Sequence, residues 1–177
     1  RAWLDSEPFD LGNTISKALN GVSVEGPAEG ARAAANPASQ ANGALMRLSP
    51  IALASLNSNS DVAASWARAD AELTHPHEVC LDVNEVFLMT LRRILLEGLD
   101  GPAAYEYGRH YAQHNGLALE VRDWIAAAAD APPGDFVHQM GWVRIALHNA
   151  FYQLKHSADF ESAMVATVAR GGDADTN

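Results

Sequence analysis

The spacing of apolar residues constrains this chain most, because it follows the helical period of 3.6 residues almost from end to end. No stretch shows convincing alternation of apolar and polar residues with the period of two that marks a half-buried strand. Glycines, prolines and polar clusters divide the pattern into helices of ordinary length, with no linker between two groups of them. The sequence therefore predicts an all-α fold, a compact bundle of several helices in one domain over residues 1–177.

Two of the expected helices carry specific predictions. The first is expected from Asp10, as its N-cap, to Leu19. Another is expected over residues 61–73, where helical spacing places Val62 and Trp66 on the buried face.

A further helix is expected over residues 76–97. Pro76 is favourable as its first residue because proline lacks the N–H that a first turn leaves unpaired. Asp82 and Glu85 are expected to be exposed charges on this helix. The last helix is expected to be capped by Ser157, and its apolar residues are Phe160, Met164, Val165 and Val168.

The charge balance excludes several classes of partner. The formal net charge is −10, from 22 acidic and 12 basic residues. An acidic surface repels nucleic-acid phosphates and anionic lipids, so neither general nucleic-acid binding nor membrane binding is expected. No apolar run approaches the roughly 18 residues of a membrane-spanning helix. An anionic small ligand would need a metal ion or helix N-termini to bind.

The single cysteine bears on the compartment. Cys80 has no partner for an intrachain disulfide, which favours a reducing, cytoplasmic environment. It lies in a helical apolar pattern, so we expect a buried and unreactive thiol.

The side chains best suited to bind a metal ion lie in the last seven residues, Gly-Gly-Asp-Ala-Asp-Thr-Asn. The carboxylates of Asp173 and Asp175 follow two glycines directly after a predicted helix end, and the hydroxyl of Thr176 comes next. Hard oxygen ligands of this kind suit Mg²⁺ or Mn²⁺, and the glycines allow the backbone to turn sharply. The spacing alone favours the alternative, an ordinary polar turn in which one aspartate caps a following helix.

A second candidate segment runs from Ser39 to Arg47. Asn42-Gly43 marks a tight turn before an apolar helical stretch, so backbone amides and the Ser39 hydroxyl are placed to bind an anion. The segment is not a standard nucleotide-binding loop, and an interhelical turn is the alternative. Met46 is expected in the core and Arg47 in a structural ion pair or on carbonyl groups.

Histidines form the third set of candidates. His75, in Thr74-His75-Pro76, precedes a helix and is placed either to bind a ligand or to act as a cap. His110 and His114 have the four-residue spacing of zinc-binding helices, but the glutamate that completes that motif is missing. They are expected on a solvated or half-buried face.

Taken in order, these segments resemble a known family. Residues 39–50, with Asn42-Gly43 and Met46-Arg47, are similar to the Asn-Gly-x-x-Met-Arg segment of ADP-ribosylglycohydrolases, and Thr74-His75 is similar to their Thr-His pair. The C-terminal turn resembles their Gly-Gly-Asp-x-Asp-Thr signature, and residues 10–14 resemble a further segment. The likeness extends over essentially the whole chain and is nearest to the bacterial dinitrogen-reductase-activating type.

The resemblance implies an all-α enzyme that removes ADP-ribose from a modified protein or small molecule, with a binuclear Mg²⁺ or Mn²⁺ centre. It assigns Asp173, Asp175 and Thr176 as metal ligands, and Ser39, Asn42, Gly43 and His75 as residues that contact the substrate. Ala41 stands where the family often has glycine, which changes how closely the backbone can approach phosphates.

The resemblance also predicts missing parts. The family's Thr-Asp-Asp metal motif and catalytic acidic residue are expected before Arg1, and a further helix after Asn177, so this piece is expected to be truncated at both ends and inactive alone. Two alternatives stay open at this point. One is a module that binds ADP-ribose without cleaving it, and the other is a structural protein on the same scaffold.

Overall fold

The computed structural model describes residues 5, 6, 8 and 11–177. Within them the chain contains no β-strand, only an isolated antiparallel bridge between Ala41 and Trp142. The helices, with short 3₁₀ turns at Leu45–Arg47 and Ser55–Asn57, are α1 (Asn13–Asn20), α2 (Pro27–Ala34), α3 (Ser49–Ala54), α4 (Ser60–Glu72), α5 (Glu78–Glu97), α6 (Gly101–His114), α7 (Leu119–Ala127), α8 (Val143–His156) and α9 (Phe160–Val168). The predicted all-α class is confirmed.

Helix α5 lies at the centre of the bundle and contacts α3, α4, α6, α7 and α8. Its side chains from Val79 to Thr90 are mostly buried, and Leu147 and Phe151 of α8 belong to the same core. Helices α1 and α2 pack mainly on each other, beside the 39–47 segment. None of the helices described here has the length and apolar character needed to cross a bilayer.

Helix α4 buries a different face from the one predicted. Val62 and Trp66 are 36% and 41% exposed, whereas the side chains at the next positions, Ala63 and Ala67, are completely buried against the core. Small residues allow α4 to approach α5 closely, which larger side chains at those positions would prevent. The predicted buried face of α4 is therefore wrong by one residue, because the close approach of α4 to α5 requires small side chains at the contact and not large apolar ones.

Asp82 and Glu85 are buried, contrary to the prediction that they would be exposed. Both accept hydrogen bonds from Nη1 of Arg68 on α4, at 2.6 and 2.9 Å, and Arg68 also pairs with the exposed Glu78. The hydroxyl of Tyr111 donates to the other Glu85 oxygen at 2.8 Å. Buried carboxylates persist only when they are paired in this way, so one arginine ties α4 to the middle of α5.

Replacing Arg68 by methionine is expected to lower the free energy of unfolding by about 2–4 kcal/mol, because two buried carboxylates lose their cation. Arg32→Met is the matched control, since Arg32 pairs with Glu72 on the exposed surface and such pairs contribute less than about 1 kcal/mol. Urea unfolding of the intact protein measures both. Equal losses in the two variants would contradict the structural role of the Arg68 cluster.

Two helix starts differ from the predicted ones. Pro76 precedes helix α5 and is not its first residue, because the His77 ring accepts the N–H of Val79 as N-cap. Asp159 caps α9 through a 2.8 Å bond from the Ser162 N–H, whereas Ser157 ends α8. The predicted cap Asp10 lies outside the described residues.

Helix α9 exposes its apolar side chains. Phe160 is 80% exposed and Val165 62%, and Met164 and Val168 are also exposed. The helix is held instead through its buried Thr167, which accepts a hydrogen bond from Asn149 of α8. This contact fixes the C-terminal end of α9 and hence the start of the turn that follows it.

Candidate functional site

The 39–42 segment is fixed to the start of helix α8 by a pair of backbone hydrogen bonds. The Asn42 N–H donates to the Gly141 carbonyl, and the Val143 N–H donates to the Gln40 carbonyl, both at 2.9 Å. The Gln40 side chain adds a 2.9 Å bond from the Trp142 indole N–H. These contacts orient the Asn42 side chain, which is 6% exposed, toward the C-terminal turn.

The C-terminal turn depends on two glycines with left-handed backbone. Gly171 and Gly172 have φ angles of 69° and 71°, values that residues with side chains adopt at a cost. Gly172 also approaches the 136–140 loop so closely that a Cβ atom there would lie 1.8 Å from the Phe136 carbonyl oxygen. After these glycines the Asp173 carbonyl accepts the N–H groups of Thr176 and Asn177, which closes the turn.

Asp173 and Asn42 are 131 positions apart in the chain and meet directly. The Asn42 amide donates to Oδ2 of Asp173 at 2.9 Å, and the Thr176 hydroxyl donates to Oδ1 at 3.1 Å. Asp173 and Thr176 are half-buried, whereas Asp175 is exposed. The structure therefore brings Asn42, Asp173 and Thr176 together and leaves Asp175 on the solvent side of the same turn.

Asn149 and Asn177 belong to this cluster and were missed in the sequence. Asn177 accepts from the Asn42 amide at 3.4 Å and donates to the Met140 carbonyl at 3.1 Å. Asn149, 2% exposed on α8, donates to the Asn177 carbonyl at 3.4 Å as well as to Thr167. The one signal in the sequence was an amide within the apolar face of α8, because such a group must find a partner when buried.

Ser39 joins the same segment to helices α1 and α5. Its hydroxyl is 2.8 Å from that of Thr14 on α1, and its carbonyl accepts from the Cys80 thiol at 3.5 Å. Burial raises the pKa of Cys80 to about 12, so the thiol stays protonated, and its predicted burial is confirmed. Cys80 thus stabilises the Ser39 loop through this hydrogen bond, and its protonated thiol is not a nucleophile.

An open cleft of about 940 Å³ runs between this loop, the start of α1 and the 137–142 segment. Gln40 and Ala41 line one side, and Gly141 and Trp142 line the other. Gly141 lies against both motifs, because a Cβ atom there would be 3.8 Å from Asp173 Oδ2 and 3.9 Å from Asn42 Oδ1. The carboxylate of Asp173 is therefore next to a lining residue of the cleft.

His75 is completely buried behind Gly43 and does not line the cleft surface. Its Nδ1 is 2.7 Å from the Thr74 hydroxyl, and its Nε2 has no hydrogen-bond partner in the described part of the chain. Burial, and then the positive charge of Arg47, lower the pKa of His75 to about 4. The ring is consequently neutral at physiological pH, and its second nitrogen has an unused hydrogen-bonding capacity.

The prediction for Met46 is wrong, and the prediction for Arg47 is confirmed. Met46 is 56% exposed and does not belong to the core. Arg47 forms the expected structural contacts, with the Asp70 carboxylate at 2.9 Å and the Asp70 carbonyl at 2.8 Å. His110 and His114 are exposed, as predicted.

The oxygens at the C-terminal turn fit a hard divalent cation in kind. They do not fill a site by themselves, since no group of three or more His, Cys, Asp or Glu side chains that could hold a metal ion occurs among the residues described in the structure. Two carboxylates and a hydroxyl are fewer oxygen ligands than a hard divalent cation takes.

A model of the family described as ADP-ribosylglycohydrolase matches residues 1–177. The chain belongs to the ADP-ribosylglycohydrolase family. It is 30% identical over 174 residues to the ADP-ribosyl-[dinitrogen reductase] glycohydrolase of Rhodospirillum rubrum, and this match covers 98% of the chain and 53% of that protein. It is also 25% identical to a putative ADP-ribosyl glycohydrolase of Acanthamoeba polyphaga mimivirus, across 99% of the chain and 57% of the relative.

The fold also agrees with that of a solved structure. A chain described as part of an ADP-ribosylglycohydrolase-related protein complex superposes with a TM-score of 0.75 and 28% sequence identity, over 99% of this chain and 56% of that one. The chain thus spans about half the length of the family members that it matches.

Proposed function

We propose that this chain forms the substrate-facing and metal-facing part of an enzyme that hydrolyses the glycosidic bond between ADP-ribose and a modified protein or other acceptor. The observation that carries the proposal is the 2.9 Å hydrogen bond from Asn42 to Asp173. It joins the two motifs that the family resemblance assigns separately to substrate and metal. It does so beside an open cleft large enough for a nucleotide-sized ligand.

Asp173, Asp175 and Thr176 are proposed to hold part of a binuclear Mg²⁺ or Mn²⁺ centre, and the remaining ligands are proposed to come from outside this chain. When bound, the ions would polarise substrate oxygens, orient water and offset the negative charge of ADP-ribose. The Asn42 amide orients the Asp173 carboxylate and leaves its second oxygen with Thr176. Fixing a ligand from a neighbouring side chain in this way raises metal affinity.

The substrate is proposed to lie along the cleft between Gln40-Ala41 and Gly141-Trp142. The Trp142 ring offers an apolar surface, and the Thr14 hydroxyl, which is 2.8 Å from that of Ser39, offers a polar one. Cleavage at the anomeric carbon would pass through an oxocarbenium-like state, and a carboxylate would assist the attacking water. That catalytic carboxylate is proposed to lie in a segment that corresponds to the part of the relatives' sequences that this chain does not match.

The test is release of ADP-ribose from an ADP-ribosylated protein by the intact enzyme, with Mg²⁺ or Mn²⁺ and after chelation. We expect turnover that requires the ion. Asn42→Ala should lower kcat/KM by about 10- to 100-fold, because the carboxylate loses a hydrogen bond in a partly buried site. Asn115→Ala is the control, since that amide lies exposed at the end of α6.

Two results would overturn the proposal in different ways. Tight binding of ADP-ribose without any release would indicate a binding module. Neither binding nor release would indicate a structural protein on this scaffold.

A further inference from the structure

Thr74 lies between an arginine and a histidine, and its hydroxyl contacts both. Arg47 Nη1 donates to Thr74 Oγ1 at 3.0 Å, and Thr74 Oγ1 is 2.7 Å from His75 Nδ1. Arg47 is held in turn by the carboxylate and the carbonyl of Asp70. Thr74 and His75 are 4% and 0% exposed, so these groups keep a fixed geometry away from water.

The positions of the protons follow from what each group can donate. A guanidinium has donors only, so Thr74 Oγ1 accepts from Arg47 and has a single hydrogen to give. If the His75 proton is on Nε2, bare Nδ1 accepts that hydrogen. If the proton is on Nδ1, the Thr74 hydrogen and the Nε2 lone pair are both left without a partner in the described part of the chain. The first arrangement leaves one group unpaired, the Nε2–H, and the second leaves two. Unpaired buried polar groups are destabilising, so the first arrangement is favoured.

We propose that Arg47 and Thr74 are positioning residues that fix His75 as the neutral tautomer with its proton on Nε2. This N–H then serves as a hydrogen-bond donor to a ligand oxygen beneath the Asn42-Gly43 turn. The inference rests on the proposed function for the identity of that ligand, an ADP-ribosyl group. The tautomer itself is independent of it.

Gly43 lies directly beside this donor, in front of the completely buried ring. A Cβ atom on Gly43 would lie 3.3 Å from His75 Nε2 and 2.9 Å from Cδ1 of Ile15 on α1. A side chain at this position would press against both the imidazole ring and Ile15, whereas glycine adds no side chain of its own beside the N–H. The neutral state of the ring matters as well, because a neutral imidazole has one donor only and its location decides whether an oxygen is bound.

The experiment is a long-range ¹H–¹⁵N correlation spectrum of the histidine side chains in the intact protein at neutral pH, with His75→Asn used for assignment. We expect bare Nδ1 and protonated Nε2 in the wild type and in Thr74→Ser, which keeps the hydroxyl. Thr74→Val has nearly the same shape without the hydroxyl and should give a mixture of the two tautomers. ADP-ribose affinity should fall about 10-fold in Thr74→Val and less than about 3-fold in Thr74→Ser.

The wild-type spectrum decides the matter even if a variant fails to fold. A proton on Nδ1 of His75, or a charged ring at neutral pH, would overturn the proposal, and so would an unchanged tautomer in Thr74→Val. The expected tautomers without any ADP-ribose binding would uphold the positioning by Arg47 and Thr74 and overturn the proposed function instead.

Discussion

Asp173→Ala in the intact protein is expected to weaken Mn²⁺ binding by at least about 100-fold. Loss of a direct metal ligand should lower the affinity more than the 10- to 100-fold that is typical when a residue hydrogen-bonded to a ligand is lost. The same change removes the shorter of the two hydrogen bonds that the Asn42 amide donates and leaves the 3.4 Å bond to Asn177. The free energy of unfolding should change by less than about 1 kcal/mol, since Asp173 is only half-buried in a terminal turn. Calorimetric titration with Mn²⁺ and urea unfolding measure the two effects.

Asp175→Ala tests the second carboxylate of the turn and is also expected to reduce Mn²⁺ affinity far more than stability. Asp123→Ala on the exposed surface of α7 is the control and should leave the Mn²⁺ titration unchanged. Wild-type affinity in Asp173→Ala would remove that residue from the ligand set. A loss of the same size in Asp123→Ala would show that surface charge, and not coordination, dominates the titration.

Gly172→Ala is expected to disrupt the proposed metal site almost as severely as Asp173→Ala, although it replaces none of the proposed metal ligands. The new Cβ atom would lie 1.8 Å from the Phe136 carbonyl oxygen, on a backbone whose φ of 71° is already unfavourable for alanine. The simplest relief is movement of the turn away from Phe136, which takes Asp173 away from Asn42. We therefore expect Mn²⁺ affinity to fall at least about 30-fold, a change of about 2 kcal/mol.

Gly171→Ala is the matched control, because its φ is 69° but a Cβ atom there has nothing within 4 Å. It should carry only the backbone strain, about 1–2 kcal/mol, and part of this is relieved by the open surroundings. Mn²⁺ affinity of Gly171→Ala is expected within about 5-fold of wild type. Equal losses in the two variants would show that backbone strain, and not the contact with Phe136, sets the position of the turn.

The sequence predicted those features that depend on local pattern. Helical periodicity identified the fold class, and Asn42-Gly43 and Gly171-Gly172 marked two turns that the structure shows. The burial of Cys80 and the ion pair of Arg47 were also predicted correctly. In each case the residue type and its near neighbours carry the physical reason.

Features that depend on partners far along the chain could not be predicted in the same way. Asp82 and Glu85 read as surface charges because their cation, Arg68, belongs to another helix. The bond from Asn42 to Asp173 spans 131 positions, and no local pattern indicates it. Burial of such groups depends on the tertiary pairing of polar atoms, which a single sequence does not display.

The most direct test of the account is the position of Mn²⁺ in an anomalous diffraction map of the intact protein crystallised with Mn²⁺ and ADP-ribose. We predict anomalous peaks within bonding distance of carboxylate oxygens of Asp173 and Asp175, with ADP-ribose in the adjoining cleft beside Asn42. A map with ordered Asp173 and Asp175 side chains, no peak at either, and Mn²⁺ bound elsewhere would contradict it.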